Sequence, residues 1–342
     1  MIVAVDGQLT LGTGTGIGEY VRGLCAALPE IGAEVRMLQY PNLDPWRFHR
    51  RVLWDQLLLP RFAAHSGARL LHCASGTMPL RSPLPTVVTV HDIAWLRVQR
   101  HAPAYARYYF GPFMLKRYAN AAAIAVDSSF SRAELLEVTR IDAGQVHVVY
   151  PGVASDFCQL PRIPSHCGEI LVPGTVERRK NLEVLIRSLP LEPRARLISV
   201  GPFTAYHNDC ATLARDLQVI DRVEFRGYVR RDQLLKLYAS CVAVAVPSLY
   251  EGFGYAAAQA LCAGVPVLVA NSSSLPEIAG SDGRVADAKD PAAWAAAIGV
   301  ILDDPASAES AAAAARSRSA QRFSWMRSAR RMLNVYATAL RS

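Results

Sequence analysis

Four clusters in this 342-residue chain combine residue types that can hold and polarise an anionic substrate. In VPGTVERRKNLEVLI, Gly174 follows an apolar run and Arg178, Arg179, Lys180 and Asn181 stand where a helix begins. Cations there oppose the helix dipole, a placement that makes sense if an anion sits among them. Arg offers phosphate a planar fork and Lys a point charge; a solvated basic turn is the plainer alternative. In VAVAVPSLYEGFGYAAAQALCAGVPVLVA, a buried run ends at Pro247, and Glu251 lies in a turn with Gly252, Phe253 and Gly254 before a second helix. That helix start can hold a phosphate while Glu251 accepts from hydroxyls, although an acid that only complements the dipole would look the same. In LGTGTGIGEY, Gly12, Gly14, Gly16 and Gly18 recur at every second position before a helix, so backbone N–H groups can approach an anion. The spacing is neither GxGxxG nor GxxxxGK, which argues against a nicotinamide fingerprint and a P-loop. In VVTVHDIAWL, His91 and Asp92 directly follow an apolar strand, where ligand crevices form; a capping Asp beside a satisfied His is equally compatible.

These residues need a scaffold that lines up strand ends, and the chain alternates apolar runs with helical stretches in that way. IVAVD, AEVRML, RLLH, TVVTV, AAIAV and VHVVY fall in the first half, and EILVP, RLISV, RVEF, VAVAVP and VPVLVA in the second. Helical patterns cover 18–29, 105–120, 181–189, 306–321 and 323–340. Apolar strands separated by helices read as parallel sheets covered on both faces. The periodicity fails over 150–168, whose prolines suit a linker. The fold class is therefore α/β, with two doubly wound Rossmann-like domains facing a central cleft. Domain one is expected at 1–157 and domain two at 158–323, with a C-terminal helix of about 324–342 crossing back.

Composition narrows the classes further. Hydrophobic residues make up 51% and charged residues 19%, the balance of a globular chain. No run of about 18 uncharged apolar residues appears, so no membrane span is expected. The start, MIVAVDGQLT, lacks a basic n-region and is read as a core strand rather than a signal peptide. Seven scattered cysteines without a CxxC suggest reduced thiols and a cytoplasmic protein. No HExxH or HxH occurs among eight histidines, so no metal site is expected. A net charge of +8 favours anionic partners, but no recognised motif supports nucleic acid.

With GTVERRKNL, RVEFRGYV, PSLYEGFGYAAAQALCAGVPVL and NSSSLPEIAG, the whole chain resembles the retaining nucleotide-sugar glycosyltransferases of family 4, which have the GT-B fold. The glycine loop, the HD pair and VDSSFSRAEL fit the family's first domain, and the final FSW helix its crossover. The resemblance implies that Arg179 and Lys180 hold the donor diphosphate and that Glu251 binds sugar hydroxyls. Gly252, Phe253 and Gly254 would offer backbone N–H groups, with Gly174, Gly16 and Gly18 around the diphosphate. His91 would line the reaction centre, with Asp92 orienting it or the acceptor. Tyr228 and Val229 would lie by the nucleobase. The family pattern has a second Glu eight positions after the first; here it is Gln259, which would meet the ribose without a charge.

The implied reaction is hexosyl transfer with retention, mannose- or rhamnose-type, from a nucleoside-diphosphate sugar, with a GDP-sugar favoured. The acceptor would be a glycan or a polyprenyl-diphosphate-linked glycan in bacterial surface polysaccharide assembly, and neither metal nor cofactor would be needed. WRFHRRVLWDQLLLPRF (46–62) and RVQRHAPAYARYYFGPFMLKRY (97–118) mix Arg with aromatics. They suit an anionic membrane surface on the inner face of the cytoplasmic membrane, or ordinary helices that bury their aromatics. A non-catalytic partner-dependent subunit, suggested by Gln259, and a GT-B-like epimerase or phosphorylase are the alternative functions.

Overall fold

The computed structural model describes residues 1–12, 16–98, 103–164 and 167–341; Gly14 of the glycine run lies outside them. The chain divides into two units, Met1–Gly152 with Phe323–Ser342, and Val153–Arg322.

Unit one is built on β1 (Ile2–Asp6), β2 (Glu34–Leu38), β3 (Leu70–Cys73), β4 (Thr86–Val90), β5 (Ala123–Val126) and β6 (Val146–Val148). All pair in parallel, in the order β2-β1-β3-β4-β5-β6. Every residue of β3, β4 and β5 is buried, as expected of strands with helices on both faces. Unit two repeats the plan with β7 (Glu169–Pro173), β8 (Arg196–Val200), β9 (Val223–Gly227), β10 (Ala243–Val246), β11 (Val267–Ala270) and β12 (Arg284–Ala286). Its parallel order is β12-β11-β10-β7-β8-β9. This is the two-sheet α/β architecture expected of GT-B chains.

The helix Trp325–Ala339 returns to unit one, as its sequence suggests. Ser324 caps it by accepting from the Arg327 N–H. The Trp325 indole fits only because Gly23 and Gly152 lack side chains: a Cβ would come within 2.1 Å of it at Gly23 and 2.4 Å at Gly152. Deeper in the core, the Tyr336 hydroxyl meets His72 Nδ1 at 2.8 Å, His72 Nε2 meets Thr89 Oγ1 at 2.8 Å, and Tyr20 reaches the same Oγ1 at 3.0 Å. Burial pushes His72 down to about 3, so this ring stays neutral.

Three features differ from the sequence reading. The linker expected over 150–168 does contain the boundary between the units, but past it the chain packs into unit two: Phe157 is fully buried beside Tyr238, with the Arg231 guanidinium 4.3 Å from its ring. The expected helix 105–120 is broken into Ala104–Tyr108 and Met114–Tyr118, because Pro112 lacks an N–H and Gly111 leaves helical geometry at φ −99°, ψ −105°. β12 gives no apolar run, being a three-residue edge strand with Arg284 and Val285 exposed.

Candidate active site

The carboxyl ends of β7 and β10 bring the basic cluster onto Glu251. β10 runs beside β7 with Val244 level with Leu171, so Gly174 and Ser248 emerge from neighbouring strand ends. Arg178–Lys180 form a tight 3-10 turn and Asn181 takes a left-handed conformation (φ 55°) before the helix Leu182–Ser188. The Asn181 amide secures that bend by donating to the carbonyls of Pro247 (3.1 Å) and Ala288 (2.8 Å). The Leu249 N–H donates to the Arg179 carbonyl at 2.8 Å, which stitches the basic turn to the loop after β10.

Glu251 is buried, and three side chains donate to its carboxylate. Lys180 Nζ reaches Oε1 at 2.5 Å, Ser248 Oγ reaches Oε1 at 2.7 Å, and Arg179 Nη1 reaches Oε2 at 3.2 Å. Burial alone would raise its pKa, but Lys180 and Arg179, with the bonds from Lys180 and Ser248, outweigh it and hold the carboxyl below its usual range. Arg179 also donates to the Tyr250 carbonyl and to Glu177, both at 2.8 Å. Arg178 turns away: it pairs with Asp209 at 2.6 Å and is exposed, so only two of the three cations serve this site.

Backbone geometry leaves room beside Lys180. Gly174 has φ 139°, and a Cβ there would lie 3.6 Å from Lys180 Cε. Gly201 (φ 147°) presses on it so closely that a Cβ would fall 2.1 Å from the Gly174 carbonyl oxygen. Gly254 (φ 95°) starts the helix Tyr255–Ala263, and a Cβ there would strike Leu275 at 2.8 Å. Ser274 Oγ donates to the Glu251 and Phe253 carbonyls at 3.0 and 2.9 Å, and Ser273 Oγ accepts the Glu251 N–H at 2.9 Å. These hydrogen bonds hold the loop Glu251–Gly254 in place. One turn into the helix, Gln259 is 7% exposed and its Oε1 accepts from Tyr238 at 3.3 Å. Tyr228 is exposed after β9, with Val229 half-buried beside it.

In unit one, β4 and β5 pair with Val90 level with Val126, which sets His91 and Asp127 side by side at the strand ends. Asp127 Oδ2 lies 2.7 Å from His91 Nδ1, and the Ala74 carbonyl 3.0 Å from Nε2. A carboxylate and a carbonyl beside the two ring nitrogens favour the imidazolium, which donates to both. Burial would lower its pKa, but Asp127 and the Ala74 carbonyl outweigh that and raise it. In that charged form His91 has no lone pair with which to abstract a proton. Asp127, not Asp92, orients it. Asp92 Oδ1 accepts the Ala94 N–H at 2.9 Å, which starts the short helix Ala94–Arg97. Of the two roles expected of Asp92, orienting His91 falls to Asp127 instead. Gly16 opens the helix Gly16–Ala27, where Gly18 is buried and Glu19 occupies the first turn.

Sequence reasoning missed Asp127, Ser248, Ser273 and Ser274. Asp127 follows AIAV as His91 follows TVVTV, so the same strand-end rule would have found it. Ser273 and Ser274 carried no signal because their partners are backbone groups far back along the chain, whereas Ser248 bonds the Glu251 side chain within the same loop. The two basic aromatic segments divide between their two readings. Trp54 and Arg51 are buried, and Arg51 pairs with Asp6 at 3.2 Å and Asp55 at 2.9 Å. Trp46, Tyr105 and Tyr108 are more than half exposed.

No helix among the described residues is long and apolar enough to cross a membrane. Among them, no group of three His, Cys, Asp or Glu side chains converges as metal ligands.

Comparison with known proteins gives two family matches. A family described as Glycosyltransferase Family 4 matches residues 14–157, and one described as Glycosyl transferases group 1 matches residues 162–318. O-antigen chain mannosyltransferase B of Escherichia coli is 30% identical over 272 residues, covering 73% of this chain and 69% of that protein. A D-inositol 3-phosphate glycosyltransferase of Xylanimonas cellulosilytica is 32% identical over 284 residues, covering 76% and 67%. The solved structure of sucrose-phosphate synthase from Thermosynechococcus elongatus has the same fold, with TM-score 0.80, 23% identity and 98% coverage of both chains.

The His91–Asp127 pair sets a titration. Its raised pKa means that His91 adds stability below about pH 6.5 and loses it as pH rises through the folded-state value. Asp127→Asn should move the His91 titration, followed by NMR, below 6.5, because burial then dominates. An unchanged titration would refute the assignment of Asp127 as the orienting group.

Proposed function

The chain belongs to glycosyltransferase family 4, and on that premise we propose a retaining, metal-independent hexosyltransferase that uses a nucleoside-diphosphate sugar. A mannose- or rhamnose-type donor carried on GDP is favoured, with a glycan acceptor in bacterial surface polysaccharide assembly. The supporting observation is the Glu251 carboxylate clamped between Lys180 and Arg179 at parallel strand ends. The similarity to an O-antigen chain mannosyltransferase supports the sugar and the pathway class. The similarity to D-inositol 3-phosphate glycosyltransferases supports a second acceptor reading, a phosphorylated polyol.

Transfer breaks the bond between the anomeric carbon and the diphosphate oxygen, so negative charge grows on the leaving group. Lys180 uses one of its three N–H donors on Glu251 and can turn the others to that oxygen. Arg179 adds a fixed positive charge, and together they would do a metal ion's electrostatic work. The phosphate would lie by Gly174, with the backbone at Gly252, Phe253 and Gly254 as the proposed partner of the developing charge at a helix start. Glu251 already accepts three hydrogen bonds and is a poor nucleophile. Its role is to hold sugar hydroxyls, and retention would proceed by front-face displacement, with the leaving phosphate taking the acceptor proton.

Calorimetry with GDP, UDP, dTDP and ADP, followed by turnover with the matching sugars, tests the reading. One nucleotide should bind preferentially and support transfer; binding without turnover would favour the partner-dependent subunit. Lys180→Ala should cut kcat roughly a hundredfold or more, the scale of losing one oxyanion donor. A kcat close to wild type would remove Lys180 from leaving-group stabilisation.

Gln259 is proposed to meet the ribose as a neutral partner, while Tyr228 and Val229 flank the base. Restoring the charge with Gln259→Glu should lower the donor KM by about tenfold or less, since a charged acceptor adds about 1 kcal/mol. An unchanged KM would place the ribose elsewhere. Trp46, Tyr105 and Tyr108, with the exposed Arg47 and Arg107, suit an anionic lipid surface. The protein should float with anionic but not zwitterionic vesicles, and failure to float with either would defeat a membrane role.

A further inference from the structure

β6 is one outer edge of the unit-one sheet. The Val149 N–H donates to the Val126 carbonyl of β5 at 2.9 Å, so strand alternation turns the N–H and carbonyl of Val148 away from β5. Two arginines from different helices cover the outward carbonyls. Arg132, in the helix Ser129–Val138, donates from Nε to the Val146 carbonyl at 3.0 Å. Arg331, in the helix Trp325–Ala339, donates from Nη1 to the Val148 carbonyl at 3.3 Å. These carbonyls are two residues apart, about 7 Å along the strand. Neither arginine has an ion-pair partner among the described residues, and the helix Trp325–Ala339 contains no acid. The outer strands β2 and β9 instead balance their own charges, Arg36 with Glu34 and Arg226 with Glu224.

Between β6 and the returning helix lies a groove of about 450 Å3, a size typical of small-molecule sites. His147, Val148, Arg331, Asn334 and Thr338 line it. His147 Nε2 is buried with no hydrogen-bond partner among the described residues, a costly placement that calls for a reason. Burial and the Arg132 guanidinium both hold the His147 ring below its ordinary pKa, so the ring is neutral at pH 7 in electropositive surroundings. Guarding an open edge against strand pairing would account for the two arginines, but not for the groove or the unpaired imidazole. We propose that this groove binds a small phosphorylated molecule by its phosphoryl group. Arg331 spends one N–H on Val148 and keeps the rest of its fork for phosphoryl oxygens. Asn334 lies three residues on, on the same helix face, and offers amide donors. The Val148 N–H supplies a main-chain donor, and Arg132 a second positive charge. A groove of this volume suits a soluble ligand rather than a flat bilayer. The site uses no residue of the Glu251 cluster, so the inference is independent of the transfer reaction.

The test titrates inorganic pyrophosphate into the full chain labelled with nitrogen-15 and follows individual amides by NMR, because calorimetry alone would also report binding near Lys180. The Val148 backbone amide and the Asn334 side-chain amide should shift together and saturate in the millimolar range or below. Arg331→Gln should weaken this binding about tenfold or more, the scale of a lost charged hydrogen bond. Asn334→Asp should abolish it by repulsion. Both side chains are exposed, so an unchanged melting temperature without ligand shows that the variants fold. The proposal is overturned if Val148 shows no saturable shift, or if Arg331→Gln binds as tightly as the unaltered chain. Flotation with vesicles of phosphatidylcholine and phosphatidic acid tests the lipid source. If Arg331→Gln reduces flotation while pyrophosphate leaves Val148 unmoved, the groove is a lipid-headgroup contact and the soluble-ligand proposal falls.

Discussion

A buried carboxylate must be paired, and in unit two that requirement falls on Glu251. Leaving such a charge without partners costs several kcal/mol, so the surrounding chain has to deliver cations to it. Two segments some seventy residues apart meet there, the turn after β7 and the loop after β10, and hydrogen bonds along both backbones hold them in register. The left-handed Asn181 belongs to the same constraint. Its bend ends the basic turn early enough for Arg179 and Lys180 to face Glu251 while Arg178 faces solvent.

Parallel pairing explains why both units place their polar residues at one sheet end. Each strand in a parallel sheet ends in the same direction, so residues just beyond neighbouring strands become spatial neighbours. In unit one this brings His91 to Asp127; in unit two it brings Gly174 to the loop of Glu251. The glycines serve this arrangement sterically. At Gly201 the backbone approaches that of Gly174 closer than any side chain would allow. At Gly23 and Gly152 the missing side chains let Trp325 dock the returning helix on unit one.

Much of this was legible in the sequence, because parallel strands buried on both faces read as continuous apolar runs. TVVTV, EILVP and RLISV coincide with β4, β7 and β8. The exposed edge strand β12 had no such signature. Arg179 and Lys180 stood out as cations opposing a helix dipole and Glu251 as an acid in a glycine-flanked turn, while their joint role came only with the family resemblance. What stayed hidden depended on strand order. The sequence placed Asp92 beside His91 as a chain neighbour, but successive residues at a strand end point in different directions, and the lateral neighbour Asp127 makes the bond. Buried Arg51 and exposed Trp46 stand five residues apart in one basic aromatic stretch, where composition cannot distinguish inside from outside.

The charge balance of the site bears on how such a centre would work. The chain carries a net +8, yet the cations of the basic turn are engaged within the protein: Arg178 by Asp209, Arg179 by Glu177 and Glu251, and Lys180 by Glu251. In the proposed reaction an incoming diphosphate would exchange for existing partners instead of meeting bare charges, which would limit how tightly the ground state is held. The gain from Lys180 would then grow as charge builds on the leaving oxygen, and interactions stronger in the transition state than in the bound substrate are those that raise kcat. On this argument, a neutral Gln259 at the proposed ribose position and a paired Lys180 would act in the same direction, because both would keep donor binding modest.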